Sequence, residues 1–412
     1  MAHSAGCLGQ RPSQKMPHPV KFDGRPVWAE IDLNALSRNL CVIKNHVNHQ
    51  VCNGNDIRRK VLAVVKADAY GLGAVPVATA LEVAGADWFG VTCPKEGVQL
   101  REAGIRLPIL LMTGFWPGEG HEVLEYGLTP AISHCEQLPH LERIASRLGH
   151  NGGRTVGVHL KINTGMNRLG ISCCEIERFA RTLADCPHLK LEGTFTHFAS
   201  SEDFEAVQTE HQERQFSHAL QRLRELGFNP GLVHMANSAA IVGRPTTWAD
   251  MVRPGAALYG YHLQYNPSDC GAALERSLTL EPSLSLRARI ISLRDVPDGE
   301  GIGYNARFQA RRQSRIAVLA AGYADGLPRG LSNRGQVIIR EKFAPLVGTI
   351  SMDLSTVDVT DVPDARVGDV ATIFGSDGPI TQLASDVARD LGTVVQDVLC
   401  GLGKRVPRFY LQ

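Results

Sequence analysis

Five apolar residues, Val61 to Val65, run directly into a lysine in VLAVVKADAYGLG, so that Lys66 stands at the end of a buried strand. In folds built on parallel strands, that end opens on the ligand-binding crevice. A lysine ammonium held there is largely desolvated. Its pKa falls, and the neutral amine becomes free to attack a carbonyl and form a Schiff base. A lysine that merely caps a strand is the commoner case, because lysines are mostly exposed. The choice between the two rests on what accompanies Lys66.

The elements that must position this lysine can be read from residue 60 onward. Short apolar runs begin at Val61, Trp88, Pro108, Thr129, Val156, Leu189, Leu232 and Met251. Between most of them lie segments with apolar residues at spacings of three and four, such as Ile176, Phe179 and Leu183, or Phe216, Leu220 and Leu223. Eight βα units suggest a (β/α)8 TIM barrel; an open doubly wound sheet shares the local pattern, and the count favours the barrel. Near residue 280 the pattern changes. SLSLRARI alternates Leu284, Leu286, Ala288 and Ile290 with polar neighbours, as a half-buried antiparallel strand does. RIAVLAAGY, GQVIIR, FAPLVG, LSTVDV and DVATIFG follow as short strands, interrupted by a single helix, TQLASDVARDLG, that ends at Gly392. The expectation is an α/β chain with a flexible extension over 1–25, a barrel over 26–275 and a mainly-β C-terminal domain over 276–412.

Composition excludes several classes of function. Forty-three basic residues against 42 acidic ones leave a net charge of +1, so neither nucleic acid nor an anionic membrane is an expected partner. No apolar run reaches the length of a membrane span, and the first 20 residues lack the apolar core of a signal peptide, which predicts a cytoplasmic protein. The ten cysteines are scattered without a C-x-x-C pair and read as reduced thiols. No H-E-x-x-H or close histidine pair is present, so no metal is expected. There is no Walker A sequence, and Gly299, Gly301 and Gly303 do not open a helix, which leaves nucleotide binding unsupported.

The blocks RPVWAEIDLNAL from Arg25 and VVKADAYGLG around Lys66 resemble the alanine racemases. So do KINTGMNRLG from Lys161, GTFTHFASSE from Gly193, HMANSAA from His234, MVRPGAALYG from Met251, IGYNARF from Ile302, AGYADG from Ala321, GTISMD from Gly348 and GKRVPR from Gly403. The resemblance implies a pyridoxal 5'-phosphate enzyme acting on small amino acids, which racemises alanine and supplies D-alanine for cell-wall peptidoglycan. It also implies a homodimer whose active sites are shared between chains.

Under that resemblance Lys66 would bind the cofactor and carry protons on one face of the substrate, while Tyr304 would come from the partner chain and serve the other. Racemisation needs an acid and a base on opposite faces, each able to take either role. Arg253 would donate to the pyridine nitrogen. A guanidinium, always protonated, cannot pass the ring a proton, which limits charge delocalisation into it and hence wasteful transamination. Arg168 would contact the cofactor's phenolic oxygen and the substrate, and Lys161 is a candidate for carbamylation beside it, with Asn163 where the motif often has Asp. His197 would lie near the ring, with His234 in a similar place. Tyr70, Ser238 and the amides of Gly255 and Ala256 would hold phosphate through neutral donors. Tyr323 and Met352, with Asp353, would form a gate and contact the substrate carboxylate from the partner. Gln396, in TVVQDVLCG, stands where relatives usually have a tyrosine that contacts phosphate and narrows the pocket, which opens the question of selectivity for alanine over serine. A decarboxylase with a related fold and a non-catalytic cofactor carrier are the competing readings. The IGYNARF, AGYADG and SMDL blocks oppose the first, and the second domain opposes the second.

Overall fold

The computed structural model describes residues 25–48, 58–147, 155–262 and 278–412. The expected flexible extension, apart from Arg25, lies outside the described residues, as do Cys7, Cys52 and Cys270. After a first strand, β1 (Val27–Asp32), the chain forms β2 (Lys60–Val64), β3 (Trp88–Val91), β4 (Ile109–Leu111), β5 (Thr129–Ile132), β6 (Val156–Lys161), β7 (Leu189–Phe195), β8 (Leu232–His234) and β9 (Met251–Val252). From β2 to β9 these are the eight expected runs, joined by parallel ladders in the order β8-β7-β6-β5-β4-β3-β2-β9. The remaining seam is bridged by backbone bonds, with Asp250 N donating to Val233 O at 3.0 Å and Arg253 N to Ala236 O at 2.9 Å. The result is a nearly closed barrel. Its strands are buried on both faces, inward by barrel side chains and outward by helices, which is why they read as unbroken apolar runs rather than as alternation. The helix Ile176–Ala184 buries Ile176, Phe179 and Leu183, and Val207–Glu225 buries Phe216, Leu220 and Leu223, as their spacing requires.

The second sheet is built from β10 (Leu284–Val296), β11 (Gly301–Ile302), β12 (Phe308–Gln309), β13 (Ser314–Leu319), β14 (Gln336–Ile339), β15 (Lys342–Pro345), β16 (Ser355–Asp358), β17 (Val370–Asp377), β18 (Ile380–Gln382) and β19 (Arg408–Leu411). All except β11 and β12, which pair only with each other, join one nine-stranded sheet with β1. Leu284, Leu286, Ala288 and Ile290 of β10 are its buried face. The helix Ala384–Leu391 stops at Gly392, whose φ of 70° is left-handed and suits glycine.

Two features depart from the sequence reading. β1 lies in this second sheet, antiparallel to β10 (Ala29 opposite Leu286) and parallel to β19 (Ala29 opposite Arg408), although the barrel was expected to begin at residue 26. Its partners are more than 250 positions away in sequence, beyond the reach of any local pattern. A second helix, Val395–Cys400, follows the first. At six residues it is too short to display a helical period, yet it carries Gln396 and Cys400 to the mouth of the barrel. Among the described residues no helix is long and apolar enough to cross a membrane.

Candidate active site

At the C-terminal ends of the barrel strands lies a cavity of about 540 Å³. It gathers Lys66, Tyr70, His197, Ser238, Arg253, Gly255, Ala256 and Gln396 from five separate stretches of chain. Thr92, Met112, Glu202, Asn237 and Cys400 also line it, and the sequence reading had not singled them out.

Lys66 leaves β2 through Val65 and enters a turn of opposite hand. Ala67, Asp68, Ala69 and Tyr70 all have φ between 53° and 57°. Left-handed helical backbone costs non-glycine residues roughly 1–2 kcal/mol each, so four in succession persist only if their surroundings hold them. Inside the turn Ala69 N donates to Val65 O at 2.9 Å, and Ala74 N donates to Asp68 Oδ1 at 2.7 Å. The turn brings Lys66 and Tyr70 to the same cavity. Burial lowers the pKa of Lys66, and the positive charge of Arg168 lowers it further, so the neutral amine is more accessible than on a surface lysine.

Tyr70 packs against Tyr259 with ring centroids 4.6 Å apart and planes tilted by 43°, and its hydroxyl faces Gly255. A Cβ at residue 255 would sit 2.5 Å from Tyr70 Oη, so glycine is required for this close approach. Ser238 Oγ accepts hydrogen bonds from Gly255 N at 2.9 Å and Ala257 N at 3.3 Å. Hydroxyls and amides thus converge in one corner of the cavity without a cation, the neutral donor set expected for a phosphate.

Opposite chemistry occupies the floor. Arg253 is 4% exposed and donates to Thr196 O at 2.7 Å and Met235 O at 2.9 Å. Burial lowers its pKa to about 9, which leaves it protonated at neutral pH. Its nitrogens also lie 2.9 Å from His234 Nδ1 and 3.3 Å from His197 Nδ1. A guanidinium only donates, so both histidines must accept there and carry their own proton on Nε2. His234 then donates from Nε2 to His159 Nδ1, 2.9 Å away. Burial, followed by the Arg253 charge, pushes His197 and His234 well below the usual histidine range and His159 down to about 3, so all three are neutral. His234 is therefore not at the cavity wall, as expected from its place after a barrel strand. It lies beneath Arg253 as a fully buried support.

Lys161 donates to Met112 O at 3.2 Å and stands 5.3 Å from the Phe195 ring centre. Burial, then Arg253, Arg168 and Lys66, lower its pKa to about 8. It shares a small adjoining cleft with Arg168, Thr196 and His197. Asn163 folds the loop between them, its Oδ1 accepting from Gly165 N at 3.2 Å and Asn167 N at 3.0 Å, contacts an aspartate would also make.

Tyr304, Tyr323 and Met352 do not reach the cavity. They sit on the second domain, 69%, 42% and 52% exposed, and Tyr304 borders a separate concavity with Thr349, Ser351 and Leu354. The loops of Tyr323 and Met352 are nonetheless tied together. The buried Asp325 carboxylate accepts from Gly322 N at 3.0 Å, Arg25 at 3.3 Å and Arg405 at 2.8 Å, and Arg405 continues to Asp353 at 2.7 Å. Among the described residues no cluster of three or more His, Cys, Asp or Glu could hold a metal ion.

Comparison with known proteins bears on the family and the fold. Residues 31–263 match the family model "Alanine racemase, N-terminal domain" and residues 283–410 match "Alanine racemase, C-terminal domain". The alanine racemase of Halothermothrix orenii is 39% identical over 386 residues, covering 94% of this chain and 97% of the relative. That of Sorangium cellulosum is 40% identical over 395 residues, covering 94% and 99%. Among solved structures, Clostridium difficile alanine racemase superposes with a TM-score of 0.83 at 33% identity, over 95% of this chain and 97% of the other. Bacillus anthracis alanine racemase with bound L-Ala-P gives 0.83 at 30% identity, over 94% and 96%. With both domains matched and the relatives spanned almost end to end, the chain belongs to the alanine racemase family.

Proposed function

We propose that this protein interconverts L- and D-alanine with pyridoxal 5'-phosphate, as a cytoplasmic homodimer in which each site takes residues from both chains, and that it supplies D-alanine for peptidoglycan. One observation carries the reading. A lysine of lowered pKa, a buried guanidinium and a corner of neutral donors line a single cavity in a chain of this family. The cavity fits the cofactor. Gly255 leaves the room beside Tyr70 that a Cβ would fill.

When bound, the cofactor would supply an aldehyde for an amine and a conjugated ring that draws electrons from the substrate carbon. Lys66 holds it through its amine and moves a proton at Cα on one face. Tyr70, Ser238 and the amides of Gly255 and Ala256 hold the phosphate, and Gln396 borders the same space. Arg253 would donate to the ring nitrogen and, remaining protonated, would not share a proton with it, which would favour proton return at Cα. His197, which lines the cavity, would pack beside the ring. Arg168 orients the phenolic oxygen and the substrate carboxylate, and Lys161, once carbamylated, would give that arginine an anionic neighbour. The partner subunit's Tyr304 moves the proton on the opposite face, and the partner's Tyr323 and Met352 close the entrance. The exposure of these three on an isolated chain supports that arrangement.

The test is incubation of the cofactor-loaded protein with L-alanine in deuterium oxide, followed by chiral chromatography and mass spectrometry. D-alanine labelled at Cα is expected. Release of carbon dioxide without D-alanine would favour a decarboxylase, and no change in alanine would favour a carrier.

A further inference from the structure

We propose that Glu96 is a positioning residue for this site, holding the entrance of the left-handed turn that carries Lys66 and Tyr70 into the cavity. The proposal deepens the functional reading above and rests on it for its catalytic consequence, though not for its structural one.

Glu96 lies in the first turn of the helix Pro94–Glu102, one βα unit further along the barrel than Lys66. Its Oε1 accepts from Ala67 N at 2.5 Å, while Oε2 accepts from Thr92 N at 2.8 Å and Thr92 Oγ1 at 3.1 Å. Ala67 is the first of the four residues with positive φ. Within the turn Ala67 O accepts from Gly71 N at 2.9 Å, but the turn's own N–H donors begin only at Ala69, so the N–H of Ala67 is held by another element. The exit of the turn is held separately. Arg408 donates to Gly71 O from Nε at 3.1 Å and from Nη2 at 3.0 Å, and Tyr410 Oη donates to Leu72 O at 3.0 Å. The turn is thus clamped at one end by β19 and at the other by a single carboxylate.

The chemistry calls for a carboxylate at residue 96. Both oxygens are engaged by donors from two different loops, and a carboxylate has acceptors on both. A glutamine has one acceptor and would press its amide hydrogens against a backbone N–H. It can hold Ala67 or Thr92, not both. The negative charge has a second effect. It raises the pKa of Lys66 against burial and Arg168, so its removal also shifts the amine further toward the neutral form.

Strain supplies the discriminating test, since Ala67 resists its own backbone conformation and a glycine there would not. In Glu96→Gln, amide hydrogen exchange of residues 67–72 in the cofactor-free protein should quicken. The cofactor dissociation constant should rise about tenfold as preorganisation is lost, and kcat on alanine should fall about 10- to 100-fold. Adding Ala67→Gly should recover much of the exchange protection and the affinity. A double variant that is soluble where the single variant is not counts as the same rescue. Wild-type exchange and affinity in Glu96→Gln would overturn the proposal. So would a loss that Ala67→Gly leaves untouched, or a double variant that does not fold, because either makes Glu96 a general structural residue. If the wild-type protein fails to racemise alanine, the functional reading fails instead, and exchange in the cofactor-free protein still decides the role of Glu96.

Discussion

Lys66 and Arg253 are cations in one cavity, and burial acts on both in the same direction with opposite chemical results. The lysine moves toward its nucleophilic neutral form, whereas the guanidinium starts so high that it stays charged. Lys161 falls between them. Its amine loses its proton near pH 8 when folded and near the ordinary 10.5 when unfolded, so between these values the unfolded chain holds the extra proton and rising pH favours folding. Below pH 8 the buried charge is a constant burden of at most about 3 kcal/mol. Lys161→Met is therefore expected to raise the melting temperature at pH 7 in bicarbonate-free buffer, with a gain that shrinks as the pH climbs above 8. An equal gain at pH 7 and pH 10 would show that lysine ionisation is not the cause. Gln396 supports a second expectation at this scale. Its side chain borders the cavity beside Tyr70, where a tyrosine would occupy more of the space. Gln396→Tyr should lower the serine-to-alanine ratio of kcat/KM by about 10-fold, since a group of that size is discriminated by 1–3 kcal/mol. A fixed ratio with an altered cofactor dissociation constant would assign residue 396 to phosphate binding alone.

Among the elements, the turn after β2 and the turn after β9 meet where Tyr70 Oη faces Gly255. Gly255→Ala is expected to fold but to weaken cofactor binding about 10- to 100-fold, because overpacking costs 1–3 kcal/mol. Titration of the cofactor-free variant with pyridoxal 5'-phosphate reads this directly, and unchanged affinity would refute the cradle. Legibility in the sequence follows the same division. Lys66 was visible because an apolar strand runs into it within a motif that resembles the family's, and Gly255 through that resemblance, with its missing Cβ as the physical reason. Glu96 was not, since a glutamate in the first turn of a helix is ordinary and its contact is with a residue 29 positions earlier. His234 shared the strand-end signature of a cavity residue, yet its ring points beneath Arg253. Strand position does not specify which layer of the barrel a side chain joins.

For the whole molecule, the proposed function requires Lys66 and Tyr304 to meet, whereas one chain places them on different surfaces. Shared sites make a quantitative prediction. Lys66→Ala and Tyr304→Phe should each be nearly inactive as homodimers, while dissociated, mixed and reassociated chains should regain roughly a quarter of wild-type activity. Half of such dimers are hybrids, and each hybrid has one site free of both substitutions. Activity no higher than that of the separate variants would mean that each chain completes its own site.

The place of β1 affects how the protein is made. Val27, Trp28, Ala29 and Ile31 are buried in a strand whose two edges are paired by β10 and β19, both more than 250 residues later in the chain. During synthesis β1 is made before either partner and must wait, with both edges unpaired, while more than 250 further residues are added. An apolar strand in that condition invites pairing with other nascent chains. The order of pairing thus makes β1 the strand whose exposure decides how cleanly the chain folds, because its neighbours are the last to become available to it.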